Sequence, residues 1–188
     1  ARKIVETVKK VCPKSSIIMK YLTDIAKCYG NEHKTMKWNT PSKFYVNQNY
    51  FIQNIKRIKT KIGTSTVKLS LNEETEEVNS NKSTRSFAAN FVHSLDAANV
   101  HLALDKSNKQ GLKNFTTIHD CFGSTAADIE EFISCVKQSF VEMYTSNVLD
   151  DLYDQSVMQL DKPQKLPTPP DLGEFNICEV LDALYVFS

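Results

Sequence analysis

The sequence predicts an α+β fold in which antiparallel β-hairpins pack against several α-helices. Three observations lead there. Apolar residues recur at helical spacing near the start, in the middle and again after residue 128. Between residues 36 and 71 the pattern changes to short runs of β-branched and aromatic residues punctuated by Pro and Gly. The 188 residues can bury one sizeable core, or one core and an appendage, with an ordinary 41% hydrophobic and 24% charged content.

The elements follow in order. Ile4, Val8 and Val11 space a first helix, and Pro13 breaks it. Pro13 can open a second helix, since a first turn loses nothing by its missing N–H. Ile18, Tyr21, Leu22, Ile25 and Tyr29 form that helix's apolar face, and Gly30-Asn31 ends it. Trp38-Asn39-Thr40-Pro41-Ser42-Lys43 reads as a strand end and a turn, followed by Phe44, Val46 and Tyr50. Ile55-Lys56-Arg57-Ile58-Lys59-Thr60-Lys61-Ile62 is basic and roughly alternating. Gly63-Thr64 turns it into Thr66–Leu71, a hairpin with a basic face. Residues 72–84, rich in Asn, Glu, Ser and Lys, predict a polar loop.

Ser86 caps a predicted helix reaching about Leu104, with Phe87, Phe91, Leu95, Ala98 and Leu102 as its stripe. Phe115-Thr116-Thr117-Ile118 is a short strand with His119-Asp120 at its end. A long helix then carries Ile129, Phe132, Ile133, Val136, Phe140 and Tyr144 on one side, and another spans about 148–160. Pro163, Pro167, Pro169 and Pro170 make a stiff connector. The segment Phe175–Ser188 is apolar enough to dock.

Composition narrows the function classes. No run of about 18 apolar residues is present. The five cysteines, at 12, 28, 121, 135 and 178, form no C-x-x-C pair and suggest reduced thiols. Five glycines in all leave little for a phosphate-cradling loop, and no G-x-S-x-G occurs. The chain opens Ala1-Arg2-Lys3 and reads most simply as a piece of a longer protein. Its net charge of +1 hides a division: residues 1–68 hold 15 Lys/Arg against 3 acids, and residues 69–188 hold 8 against 19. A basic half of that size suits a polyanion, or merely a solvated surface.

The sharpest local feature is His119-Asp120. A carboxylate at the end of such a strand can offer a hard oxygen to Mg²⁺ or close an Asx turn. Phosphoryl-transfer enzymes need carboxylates in pairs about two metal ions. His93 and Asp96, three apart on a predicted helix, share a face. His101 lies eight residues from His93, at no metal-ligand spacing.

Two runs carry a family resemblance. Ser86-Phe87-Ala88-Ala89-Asn90-Phe91-Val92-His93-Ser94-Leu95-Asp96-Ala97 is followed by Thr117-Ile118-His119-Asp120-Cys121-Phe122-Gly123-Ser124-Thr125-Ala126-Ala127-Asp128. In order and separation they resemble the C-terminal palm of single-subunit DNA-dependent RNA polymerases, the bacteriophage and mitochondrial type. Trp38-Asn39-Thr40-Pro41 and the tail Tyr185-Val186-Phe187-Ser188 resemble the same family. The likeness is strongest over 86–188, less over 36–62 and least over 1–30, and the chain end looks closer to mitochondrial members.

The resemblance implies that the whole chain is a palm portion. Residues 1–30 would be a helical lead-in, 36–71 basic hairpins, 86–160 the helix–strand–His-Asp–helix core, and 171–188 a terminal foot. It implies Asp120 as a catalytic, Mg²⁺-binding carboxylate, His119 beside it, and His93 near the RNA–DNA hybrid. With Lys56, Arg57, Lys59 and Lys61 on nucleic-acid phosphate, the partners are DNA template, nascent RNA and NTPs. Transcription accessory factors fit the same picture. The implied location is the mitochondrion, or the chain is a mitochondrial plasmid product. The implied activity, in the full-length protein, is nucleotidyl transfer by a two-metal mechanism. The family's other aspartate, in an Asp-x-Ser-Gly motif, has no counterpart here, since Asp24 sits in a helical Leu22-Thr23-Asp24-Ile25-Ala26. The nucleotide-selecting Lys…Tyr-Gly helix is also missing, and residues 97–99 are Ala-Ala-Asn where relatives carry a Ser-His type pair. The fragment alone is therefore expected to be inactive. The rivals are a non-catalytic nucleic-acid-binding module, a His-Asp metal phosphohydrolase with His93, His101, His119 and Asp120 around one ion, and a degenerate polymerase remnant.

Overall fold

A computed structural model of the chain describes all residues except 1–2, 4–6, 8–9, 120 and 186–188. The fold is α+β, with helices and three separate two-stranded antiparallel sheets. Ile4 and Val8, on which the opening helix was expected, lie outside the described residues, as do Asp120 and Val186–Ser188.

Helix α1 spans Pro13–Asn31, with Pro13 in its first turn. Tyr21, Leu22, Ile25, Ala26 and Tyr29 are its buried face, as the spacing predicts. After its end, Glu32 accepts backbone N–H bonds from Asp161 and Lys162, and Lys34 pairs with both Glu32 and Asp161. The Asp161 N–H, then the other donors, holds the Glu32 carboxyl below its usual range. This pins the chain at Asp161-Lys162 to the end of α1.

Strands β1 (Met36–Asn39) and β2 (Tyr45–Gln48) pair with Met36 opposite Gln48 and Asn39 opposite Tyr45. Strands β3 (Phe51–Ile62) and β4 (Ser65–Val78) form a ribbon closed by Gly63 at φ +62°. Twelve residues of β3 reach roughly 40 Å. The polar loop expected over 72–84 is instead strand and helix. Asn72, Glu73 and Glu74 lie opposite Ile55, Asn54 and Gln53, and the next helix begins at Ser80. Polar composition misled because an exposed ribbon needs no apolar face; its backbone pairing suffices.

Helix α2 runs Ser80–Lys109, six residues earlier and five later than its apolar stripe suggests. Asn79, not Ser86, is the N-cap: its side-chain oxygen accepts the Lys82 N–H at 3.0 Å. At the other end Lys106 and Lys109 face the carbonyl terminus, where cations are favoured. Gly30 allows α1 to meet the start of α2, since a Cβ there would stand 3.1 Å from Ser80 Cβ.

The 30 residues of α2 make it the spine of two cores. Its first half supplies Phe87, Ala88, Phe91 and Leu95 to a core with α1, Met36, Trp38 and Leu152. Its second half supplies Ala103 to a smaller core with Leu112, Phe132, Cys135 and Val136. Each large side chain wholly buried there contributes about 1.5–3 kcal/mol. Trp38 is the keystone of the first core. It meets Phe87 edge-on at 5.5 Å, and its indole N–H donates to Ser94 Oγ at 2.9 Å.

Strands β5 (Phe115–Ile118) and β6 (Cys121–Ser124) form the third hairpin. The first matches its predicted limits; the second carries no sequence signal, four residues after a His-Asp pair being too few to show a period. Helix α3 (Ile129–Thr145) and helix α4 (Val148–Gln159) follow. In α3 Phe132 and Val136 are buried as expected, but Ile133 is exposed and Cys135, Ser139 and Met143 are buried as well. The contact with α2 selects that side, and small residues allow close approach there. A 3-10 turn, Pro163–Lys165, and a one-turn helix α5, Glu179–Asp182, complete the chain. The terminal segment docks through its backbone: Lys137 Nζ donates to the carbonyls of Leu181 and Ala183. Its apolar side chains do not bury as composition suggested, for Phe175, Leu184 and Tyr185 are exposed.

Candidate functional site

The β5–β6 hairpin is built to present a short loop. Ile118 pairs with Cys121, so a tight connection that starts at His119 joins the strands. His119 takes φ +56°, the left-handed region that tight hairpin turns require and that His tolerates better than most residues. Opposite Thr116, Gly123 leaves the space its partner fills: a Cβ on Gly123 would lie 3.0 Å from Thr116 Cγ2. Phe115 and Phe122 anchor the hairpin on Phe132 of α3, with ring centroids 5.8 and 6.0 Å away.

The loop faces α2. His93, Asp96, Ala97, Val100 and His101 on α2, with Thr117 and His119 on the hairpin, line one cleft of about 620 Å³. Three of the chain's four histidines therefore border a single space. A second cleft of about 490 Å³ shares His93, Ala97 and His101 and continues to Asn90, Thr40 and Phe44. The two join as a groove across α2, between the β5–β6 hairpin and the β1–β2 connection. Helical spacing brings His93 and Asp96 together as expected. His101 joins them although its spacing from His93 gave no reason to group them.

Among the described residues, no three His, Cys, Asp or Glu side chains converge as one metal ion would require. The histidines thus line a groove rather than a chelate, which leaves the phosphohydrolase rival without a described ligand set. Asp120, the expected metal ligand, lies outside the described residues. The described residues alone do not form a Mg²⁺ site.

The β3–β4 ribbon separates its charges by register. Arg57, Lys59 and Lys61 lie on one face, because side chains alternate along a strand. Lys68, opposite Lys59, joins that face from β4. Lys56 stands on the other face, opposite Leu71, and pairs with Glu73 at 2.9 Å. With it stand Ile58, Leu69 and Ile62. One face of the ribbon is cationic and the other largely apolar. Reading residues singly grouped Lys56 with the other cations and did not single out Lys68, because only the pairing register tells the faces apart.

The sequence profile of the DNA-dependent RNA polymerase family matches residues 1–166. The chain is 31% identical over 174 residues to the DNA-directed RNA polymerase 2, chloroplastic/mitochondrial, of Arabidopsis thaliana. That alignment covers 91% of this chain and 16% of the relative. It is 32% identical over 170 residues to the chloroplastic DNA-directed RNA polymerase 3 of Nicotiana sylvestris, covering 90% of this chain and 17% of the relative. The mitochondrial DNA-directed RNA polymerase 1 of the same plant is 31% identical over 171 residues, with coverage of 91% and 16%. The chain thus spans about a sixth of the length of these relatives. A profile match over most of its length, and a third of positions shared with organellar enzymes, mean that the chain belongs to the single-subunit, phage and mitochondrial type of DNA-dependent RNA polymerase.

Proposed function

We propose that this chain is the C-terminal part of the palm of a mitochondrial DNA-directed RNA polymerase and supplies one wall of its active site. The observation that carries the reading is the convergence of His93 and His119, from separate motifs, on one groove between α2 and the β5–β6 hairpin. The reaction is templated transfer of a nucleotidyl group from NTP to the RNA 3′ end. Asp120 is the carboxylate toward Mg²⁺, which in this chemistry activates the attacking hydroxyl and stabilises the leaving pyrophosphate. The remaining ligands come from outside the chain, consistent with its lack of an Asp-x-Ser-Gly motif. His119 stands beside that carboxylate, and His93 borders the path of the RNA–DNA hybrid. The cationic face of the ribbon, Arg57, Lys59, Lys61 and Lys68, follows nucleic-acid phosphate.

By itself the chain has one of the two carboxylates such a site needs and is inactive. Asp120→Asn in the full-length polymerase should abolish templated NMP incorporation while sparing template binding; near-normal synthesis would refute the assignment. Incorporation by the purified 188-residue chain would refute its dependence on other parts. The cationic ribbon face also favours a second reading, a nucleic-acid-binding module without catalysis. Its mark would be salt-sensitive binding in a full-length protein indifferent to Asp120→Asn.

A further inference from the structure

The geometry points to His101 as a second nucleic-acid contact in the groove, a residue that grips a backbone phosphate of the RNA–DNA hybrid at a fixed distance from His93. The inference rests on reading the groove as the hybrid's path. Three observations carry it.

First, His101 borders both clefts that make the groove, as does His93. Eight residues of helix separate them by about 12 Å along α2. A nucleic-acid strand presents phosphates at short regular intervals, so two rings held at that separation can each meet one.

Second, His101 is held rather than free. Ser42 Oγ lies 3.3 Å from its Nδ1, and the Phe44 ring packs on it with centroids 5.9 Å apart. With Nδ1 engaged, Nε2 is the ring nitrogen left for a ligand.

Third, the loop that holds it is itself stiff. Thr40 N–H donates to the Phe44 carbonyl at 2.9 Å, Lys43 N–H to the Thr40 carbonyl at 2.8 Å, and Phe44 N–H to Thr40 Oγ1 at 3.1 Å. Thr40 Oγ1 also meets Ser42 Oγ at 3.0 Å. A loop bonded to itself so thoroughly, yet leaving Phe44 exposed on the groove, positions a side chain for a partner. The neighbouring positions 97–99, Ala-Ala-Asn, offer no such donor: Ala98 and Asn99 are buried.

The test measures affinity of the full-length polymerase for a short RNA–DNA hybrid with a template overhang. The variants are His101→Phe, His101→Gln, Ser42→Ala and His93→Ala. His101→Phe keeps the ring against Phe44 and removes the donor; it should bind about five- to tenfold more weakly. His101→Gln keeps a donor and should stay within about twofold of wild type. Ser42→Ala should fall between them. Unchanged binding by His101→Phe in a protein weakened by His93→Ala would overturn the role of His101 and leave the groove reading standing. Unchanged binding by both would overturn the groove reading as well. A loss for His101→Gln equal to that of His101→Phe would also overturn the contact.

Discussion

Replacing Ser94 by Ala removes the acceptor of the Trp38 indole N–H and tests how the groove helix is held to β1. The bond measures 2.9 Å, and the indole is only 2% exposed. Leaving a buried donor unpaired costs about 1–3 kcal/mol. Ser94 Oγ also donates to the Phe91 carbonyl one turn back in α2, a bond that slightly disfavours the helix. Alanine is the better helix former by roughly 0.5 kcal/mol, which offsets part of the loss. The net expectation is a destabilisation of about 0.5–2.5 kcal/mol. For a domain of this size that lowers the melting temperature by about 1–10 °C. Trp38 is the chain's one tryptophan, so its fluorescence follows unfolding of this core directly. Trp38→Phe should cost more, since it empties space beside Phe87 and Phe91. The double variant should lose about 1 kcal/mol less than the sum of the two. A melting temperature equal to or above wild type for Ser94→Ala, with strict additivity in the double variant, would refute the coupling.

Three further outcomes follow from the same geometry. Lys59→Ser with Lys68→Ser should flatten the salt dependence of nucleic-acid binding by a slope of about 2, whereas Lys56→Ser should leave it unchanged, as titration across salt concentrations would show. Gly123→Ala forces Thr116 Cγ2 aside and should destabilise the β5–β6 hairpin by about 1–3 kcal/mol, with reduced synthesis in the full-length enzyme; thermal melts and incorporation assays check both. Tyr21, Tyr29 and Tyr144 have phenols raised above the ordinary value of 10.0, each chiefly by burial. The folded state therefore favours the neutral phenol. The stability tied to it is fully present below that value and is lost as pH rises from it through the folded-state values. Denaturant melts across the alkaline range should show the fall, with phenolate absorbance appearing as the chain unfolds; phenolate forming at ordinary pH without unfolding would contradict it.

Much of this molecule was already legible in the order of its residues. Pro13, Gly30-Asn31 and the apolar spacing between them delimit α1, because capping and period are local properties. Phe115–Ile118 and the helix from 148 are legible for the same reason. The two motif runs that resemble the polymerase family are matters of residue identity and need no coordinates at all.

Tertiary structure decided what depends on which segments meet. The register of β3 against β4 put Lys68 with Arg57, Lys59 and Lys61 and sent Lys56 to the other face; a slip of one residue would have reversed the assignment. The stretch 72–78 is strand only because β3 lies beside it. Contact with α2 turned the buried side of α3 enough to expose Ile133 and bury Cys135 and Ser139 beside Phe132 and Val136. His101 entered the groove because the β1–β2 connection folds over it with Ser42 and Phe44, contacts made across 59 residues of chain in the case of Ser42. Spacing along a sequence reports faces of a single element. The groove is made where faces of three elements meet, and that meeting is settled by packing.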